Sequence, residues 1–234
     1  MDLKVLAGVV SILALGAGAA WSAEVTGGEF RLNYSTFTGS PMDQLDATSI
    51  SGAIEVGIAR QFAVQGDAGL VNFGYSGADS SWFTLHGIHH VNESTSLGAF
   101  VGREELEGEG STYYGIEIGQ EFGQLKGEAY LATFEESGED STLFGMGADY
   151  AVNDSFSFGL SHDRLDIAGE AAHRTALRGA YAMGNASVTA EIGSRQINGI
   201  GSETFVGIRF KTTFGAARGA TFDRRSLTSL IPGL

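Results

Sequence analysis

The feature that most constrains this chain is an alternation of apolar and polar residues with period two, held over lengths that strands of soluble domains seldom reach. Ile54, Val56 and Ile58 oppose Ala53, Glu55, Gly57 and Ala59. Tyr114, Ile116, Ile118 and Phe122 oppose Gly115, Glu117, Gly119 and Glu121. Phe156, Phe158 and Leu160 oppose Ser157, Gly159, Ser161 and Asp163, and Val206, Ile208, Phe210 and Phe214 oppose Gly207, Arg209 and Lys211. Successive strand residues point to opposite faces, so such a pattern predicts strands with one apolar and one polar face. Twelve segments read this way, near 29–38, 48–59, 62–75, 82–90, 95–104, 112–122, 125–135, 141–151, 155–165, 173–183, 186–197 and 203–214. Most are about 9–12 residues long, whereas ordinary strands average about 5–6. A tilted strand that crosses a bilayer needs about 9–11.

The connections between these segments alternate in kind. One set is short: 59–61, 91–95, 122–124, 152–155 and 184–185. Three of these contain Asn-x-Ser, beginning at Asn92, Asn153 and Asn185, and read as tight turns because Asn and Ser bond their own backbone. The other set is expected to be longer, Gly-rich and acidic: 39–47, 76–81, 104–111, 136–140, 166–172 and 198–202. Its acids are Asp43, Asp46, Glu104, Glu105, Glu107, Glu109, Glu135, Glu136, Glu139, Asp140, Asp166 and Glu170. Hard cations want several oxygen ligands, but the spacing matches no calcium-loop signature, so no metal site is assigned and these acids are read as solvated. The repeating unit is a hairpin, which predicts an all-β, up-and-down antiparallel barrel with both ends on one side.

A twelve-stranded barrel is too wide for small side chains to fill, since about eight strands already give a packed interior. This chain has 35 Gly among 234 residues. A wet lumen lined by Gly, Ser and charges needs no bulky filler, and a closed barrel pairs every backbone group, as lipid demands. The expectation is therefore a transmembrane barrel over 24–214. The remaining composition excludes other classes. Cys is 0 and Pro is 2, so disulfide scaffolds, thiolate metal sites and collagen are out. A net charge of -14 argues against nucleic acid, whose binding runs on Lys and Arg. The first 23 residues, with Lys4, the apolar run Val5 to Leu15 and small residues up to Ala23, read as a cleaved signal peptide. Cleavage after Ala20, Ser22 or Ala23 is left open.

The last strand reads Gly207-Ile208-Arg209-Phe210-Lys211-Thr212-Thr213-Phe214. With the leader and the hairpin meander, it resembles the bacterial outer-membrane β-barrels of the porin type. That resemblance implies an outer-membrane location and contact with lipid and lipopolysaccharide. It implies recognition of Gly207, Phe210 and Phe214 by the barrel-assembly machinery, a homo-oligomer, and passive diffusion of small hydrophilic solutes or ions. Such strands usually stop at the final aromatic, whereas here residues 215–234 continue. This tail carries Arg218, Arg224, Arg225, Leu227, Leu230 and Ile231. It either lies in the periplasm or tucks into the lumen as a plug, and the sequence leaves both open.

The polar faces assign the pore lining. Acids come mainly from the earlier strands, as Glu55, Asp67, Glu117, Glu121, Glu128, Asp149 and Asp163. Arg178, Arg195, Arg209 and Lys211 come from the last three, with Glu191 among them, and Arg31 of the first strand would close beside them. A basic wall facing an acidic one would set a transverse field and tune ion selectivity. The alternative is that neighbouring strands pair these charges and the interior is filled. No catalytic residue and no cofactor is assigned. Ser161, His162 and Asp163 are adjacent, so Ser161 and His162 point oppositely and cannot act as nucleophile and base. His86, His89 and His90 do not supply a third metal ligand. Tyr113, Tyr114, Phe122, Tyr130, Phe134, Phe144, Tyr150, Phe156 and Tyr181 are candidates for interfacial aromatic girdles. The functional expectation is a porin-like channel. The alternatives are a non-conducting barrel that presents acidic loops, and, less favoured, a lipid-active barrel enzyme.

Overall fold

The computed structural model describes residues 24–39, 45–74, 76–136, 139–167, 170–197, 201–215 and 219–228. The segment read as a signal peptide, Asp43 and Arg218 lie outside them, as do Leu230 and Ile231. The described chain holds twelve strands: β1 Glu24–Phe37, β2 Asp46–Ala59, β3 Phe62–Phe73, β4 Asp79–His90, β5 Thr95–Leu106, β6 Glu109–Phe122, β7 Leu125–Glu136, β8 Glu139–Ala151, β9 Phe156–Ile167, β10 Glu170–Met183, β11 Ala186–Ile197 and β12 Gly201–Phe214. Each pairs antiparallel with its sequence neighbours, and β1 pairs with β12 from Gly28↔Phe214 to Phe37↔Phe205, closing the barrel. Closure leaves no strand edge unpaired, which is what a lipid environment requires of a sheet.

The alternation explains which face looks out. Ile116 at 64%, Phe158 at 63%, Leu177 at 61% and Phe122 at 79% are exposed, although they are large and apolar. A contiguous apolar belt of this kind has no place on a soluble surface and suits lipid. Near the short turns Phe122, Tyr150, Phe156 and Tyr181 point outward, with the Phe156 and Tyr181 rings 4.8 Å apart. Tyr113, Tyr130 and Phe134 depart from the girdle expectation. They point inward, because they share the parity of Glu117 and Glu128 on β6 and β7, and they join a buried cluster.

The short turns form as the sequence predicts. The Asn92 side-chain oxygen accepts the Ser94 N–H at 2.9 Å, and that of Asn153 accepts from Ser155 and Phe156, both at 2.9 Å. The opposite set differs from expectation. Every strand has 12–14 residues, so the ladders run on into what the sequence marks as loops. β5 and β6 are joined by Glu107 and Gly108 alone, with φ of 52° and 87°, the left-handed pair that a two-residue hairpin demands. Asp46, Glu104, Glu109 and Asp166 are therefore strand residues, not loop acids. The reason is that ladder pairing does not stop where the apolar belt stops. Polar outward residues such as Arg103 and Arg164 continue the strands beyond it.

The interior has two zones. Toward the long-connection end apolar inward residues cluster, beside polar Ser80, Glu104 and Arg174: Phe37 and Phe205 pack with Ala176, and Phe73 packs with Val71 and Ala47. Toward the short turns the interior is polar and charged. Residues 219–228 enter from the short-turn end, beside Gly27 and Glu29, and rise through the lumen to Ser80 and Glu104. Of the two placements open to the tail, the described part lies in the lumen.

Candidate functional site

The inward face of β2–β7 is built to receive the tail main chain. The Thr221 N–H donates to Glu55 Oε2 at 2.8 Å. Gln65 binds Phe222 on both sides, accepting its N–H at 3.1 Å and donating to its carbonyl at 2.9 Å. The Asp223 N–H donates to Glu128 at 3.0 Å. Tyr113 and Thr84 hydroxyls donate to the Arg225 carbonyl at 2.7 and 3.0 Å. Glu104 accepts from the N–H groups of Leu227, at 2.5 Å, and Thr228, at 3.2 Å. An extended segment inside a barrel has no ladder partner, so buried N–H groups of this kind need side-chain acceptors.

Side chains of the tail complete the fit. Arg225 donates to Glu117 Oε2 at 2.9 Å and also pairs with Glu128, while its guanidinium lies over Tyr130, 4.1 Å from the ring centroid. Asp223 accepts from Arg31 at 2.5 Å, and Arg31 also pairs with Glu29. Burial alone would raise the Asp223 carboxyl, but Arg31, Arg224 and Arg209 outweigh it and hold it well below the ordinary carboxylate range. The Phe222 ring packs on Ala63 and Ile88 beside Gly98, where a Cβ would come within 2.6 Å of it. Beneath the tail, His86 bridges Asp67 at 2.9 Å and Glu117 at 2.7 Å.

Beside the tail a cavity of about 620 Å³ remains, lined on the barrel side largely by β1 and β7–β12. Here basic and acidic residues alternate more closely than two opposed walls would have them. Arg178 grips Asp149 with two bonds of 2.7 and 2.6 Å. Arg174 reaches Glu191 at 2.9 Å and Asp163 at 3.7 Å, and Asp163 also accepts from Tyr130. Arg209 donates to Asn33 at 2.8 Å. Glu121 stands at the short-turn mouth with Lys126 at 3.6 Å, and Arg195 is half-buried on β11. Gly207 faces inward against Glu191, whereas Phe210 and Phe214 point outward, the Phe214 ring lying over Gly28. Ser161 and His162 fall on opposite faces, with His162 bonded to Thr175 at 2.8 Å on the outside.

Sequence reasoning passed over Glu29, Arg174 and Asp223 and read Glu104 as a loop acid, whereas all four face the lumen. Glu104 and Arg174 share the parity of Phe100 and Arg178, and extending the alternation past the apolar belt would have found them. Asp223 has no periodic signal, because the tail is not a strand.

No protein-family model matches the sequence, and no curated protein matches it. Solved structures do. KdgM porin is similar over 80% of this chain and 99% of its own, at 8% identity and a TM-score of 0.61. A second structure of it, in complex with disordered oligogalacturonate, covers 81% and 99% at 10% identity and a TM-score of 0.58. NanC porin covers 78% of this chain and 98% of its own, at 10% identity and a TM-score of 0.60. An outer membrane channel from Pseudomonas putida F1 covers 85% and 98%, at 14% identity and a TM-score of 0.53. The fold of this chain is that of the outer-membrane porin barrels.

Proposed function

We propose that the protein is a porin-like channel of the bacterial outer membrane, passing small hydrophilic solutes or ions through its charged lumen, with residues 219–228 acting as a resident plug. The observation that carries this reading is the pairing of a closed barrel, apolar outside, with a polar cavity of about 620 Å³ inside. Fixed charges along such a passage select among solutes. The pore lining comprises Arg31, Glu55, Asp67, Glu117, Glu121, Glu128, Asp149, Asp163, Arg178, Glu191, Arg195, Arg209 and Lys211. Glu55 and Glu117 serve it chiefly by holding the tail, and Asp67 by holding Gln65 and His86 beneath it. Hydrophilic cargo is supported by the neighbour recorded with oligogalacturonate. The outward Phe210 and Phe214 of the closing strand suit recognition by the assembly machinery.

The test is single-channel conductance of residues 24–234 and of 24–214 in a planar bilayer. Steps from the full chain, and larger ones from the shortened chain, are expected. Silence from both, despite a folded barrel, would falsify the channel and favour a non-conducting surface barrel.

A further inference from the structure

A chain of net charge -14 with an acid-rich lumen would, taken as a whole, attract cations. The docked tail reverses that balance locally. Glu55, Glu104, Glu117 and Glu128 are engaged by tail N–H groups or by Arg225, and Asp67 is bonded to His86. The tail thus covers these acids and occupies their acceptor oxygens, and Arg225 offsets the charge of Glu117 and Glu128. On the side of the cavity away from them, Arg178 and Arg174 are matched by Asp149, Glu191 and Asp163.

Two cations lining the cavity, Arg209 and Lys211, are left over, and a third, Arg224, is only loosely held. Arg209 has Asn33 as its hydrogen-bond partner, and among the described residues no carboxylate is paired with it or with Lys211. Arg224 keeps one long ion pair with Asp223, at 4.0 Å, and its buried Nε has no hydrogen-bond acceptor among the described residues. Lys211 and Arg31 are direct partners across the β1/β12 seam, which adds to the positive potential there. A polar cavity edged by guanidinium and ammonium groups that carboxylates do not saturate binds anions, with guanidinium suited to carboxylate or phosphate oxygens.

We propose that the docked tail makes the remaining passage anion-selective, with Arg209, Lys211 and Arg224 as the anion-binding step, and that displacing the tail uncovers the acids and reverses the preference. This rests on the channel reading above. The acids on β2–β7 are a latent cation path, covered while Arg225 sits on Glu117 and Glu128.

The experiment is the reversal potential of the full chain in a potassium chloride gradient, with two full-length variants. The full chain is expected to show an anion-to-cation permeability ratio above one. Arg209→Gln with Lys211→Gln should lower that ratio toward or below one. Arg225→Glu sets a carboxylate against Glu117 and Glu128, drives the tail out, and should give a ratio below one with larger steps. Currents that prefer cations in the full chain, or a ratio that the double variant leaves unchanged, overturn the proposal while the channel stands. If no form conducts, the channel reading fails and a second readout decides the anion site. Inorganic phosphate should raise the unfolding temperature of the refolded full chain more than that of the double variant. Equal shifts overturn the site.

Discussion

Arg225 reaches Glu117 on β6 and Glu128 on β7, and its guanidinium is buried at 5% exposure. Removing one partner of a buried ion pair costs about 3–5 kcal/mol, because the other charge is left uncompensated. Here the stranded acids have an escape that a closed core lacks: the tail can leave and water can enter. Arg225→Ala is therefore expected to release the tail and leave the barrel folded. Trypsin cleavage after Arg224 should quicken while heat-modifiable migration of the barrel persists. Asp223 supplies a pH test with a definite sign. Its carboxyl is held below the ordinary range, so its contribution to docking is present above the unfolded carboxylate value and is lost as pH falls through the lower, folded one. The protease resistance lost on Asp223→Asn should thus be a constant difference down through mild acid and vanish only in stronger acid. A difference already gone near neutrality would contradict the Arg31–Asp223 contact.

At the scale of the element, the tail is held by shape as well as charge. Gly98 on β5 clears the space that the Phe222 ring and the Glu117 side chain share, so Gly98→Val should expel the ring and displace Glu117 without breaking a ladder bond. The expected result is a protease-sensitive tail on a barrel that still folds. The far end of the tail can be tested by a bond. Thr228 Oγ1 lies 3.5 Å from Ser80 Oγ on β4, and the chain has 0 cysteines of its own. Ser80→Cys with Thr228→Cys is expected to form a disulfide on mild oxidation, seen as a faster-migrating denatured band. No crosslink would mean that the tail does not reach the long-connection end. The strands themselves teach a related lesson. The apolar belt sets where a strand meets lipid, but the ladder sets where it ends, and Glu104 lies in the difference. That overhang is why an acid expected in a loop became an acceptor for two tail N–H groups.

For the whole molecule, barrel closure and tail docking are separable. β1 and β12 pair along their length without help from residues 219–228, so the barrel should assemble when residues 215–234 are removed. The shortened barrel should lose the Phe222 and Arg225 contacts, widen, and expose Glu55, Glu104 and Glu117 to water. The apolar layer around Phe37, Phe73 and Phe205 would still narrow the long-connection end. Phe205→Ala in the tail-less barrel should then raise conductance further, and no rise would place the narrowest point elsewhere.

The sequence by itself determined the number of strands, their pairing order, the outward face and the inward parity of the charges. Alternation is a relation between residues two apart, and short turns are local chemistry, so both are written where they act. It also showed that a tail follows the last strand, without saying where the tail goes. Tertiary structure alone decided that. The Asp223 N–H meets Glu128 across 95 residues of chain, and Arg31 meets the Asp223 carboxylate across 192. Such partners have no periodic trace. They are chosen by which inward side chains the closed barrel brings to the same height, and by which of those charges remain unmatched once neighbouring strands have paired.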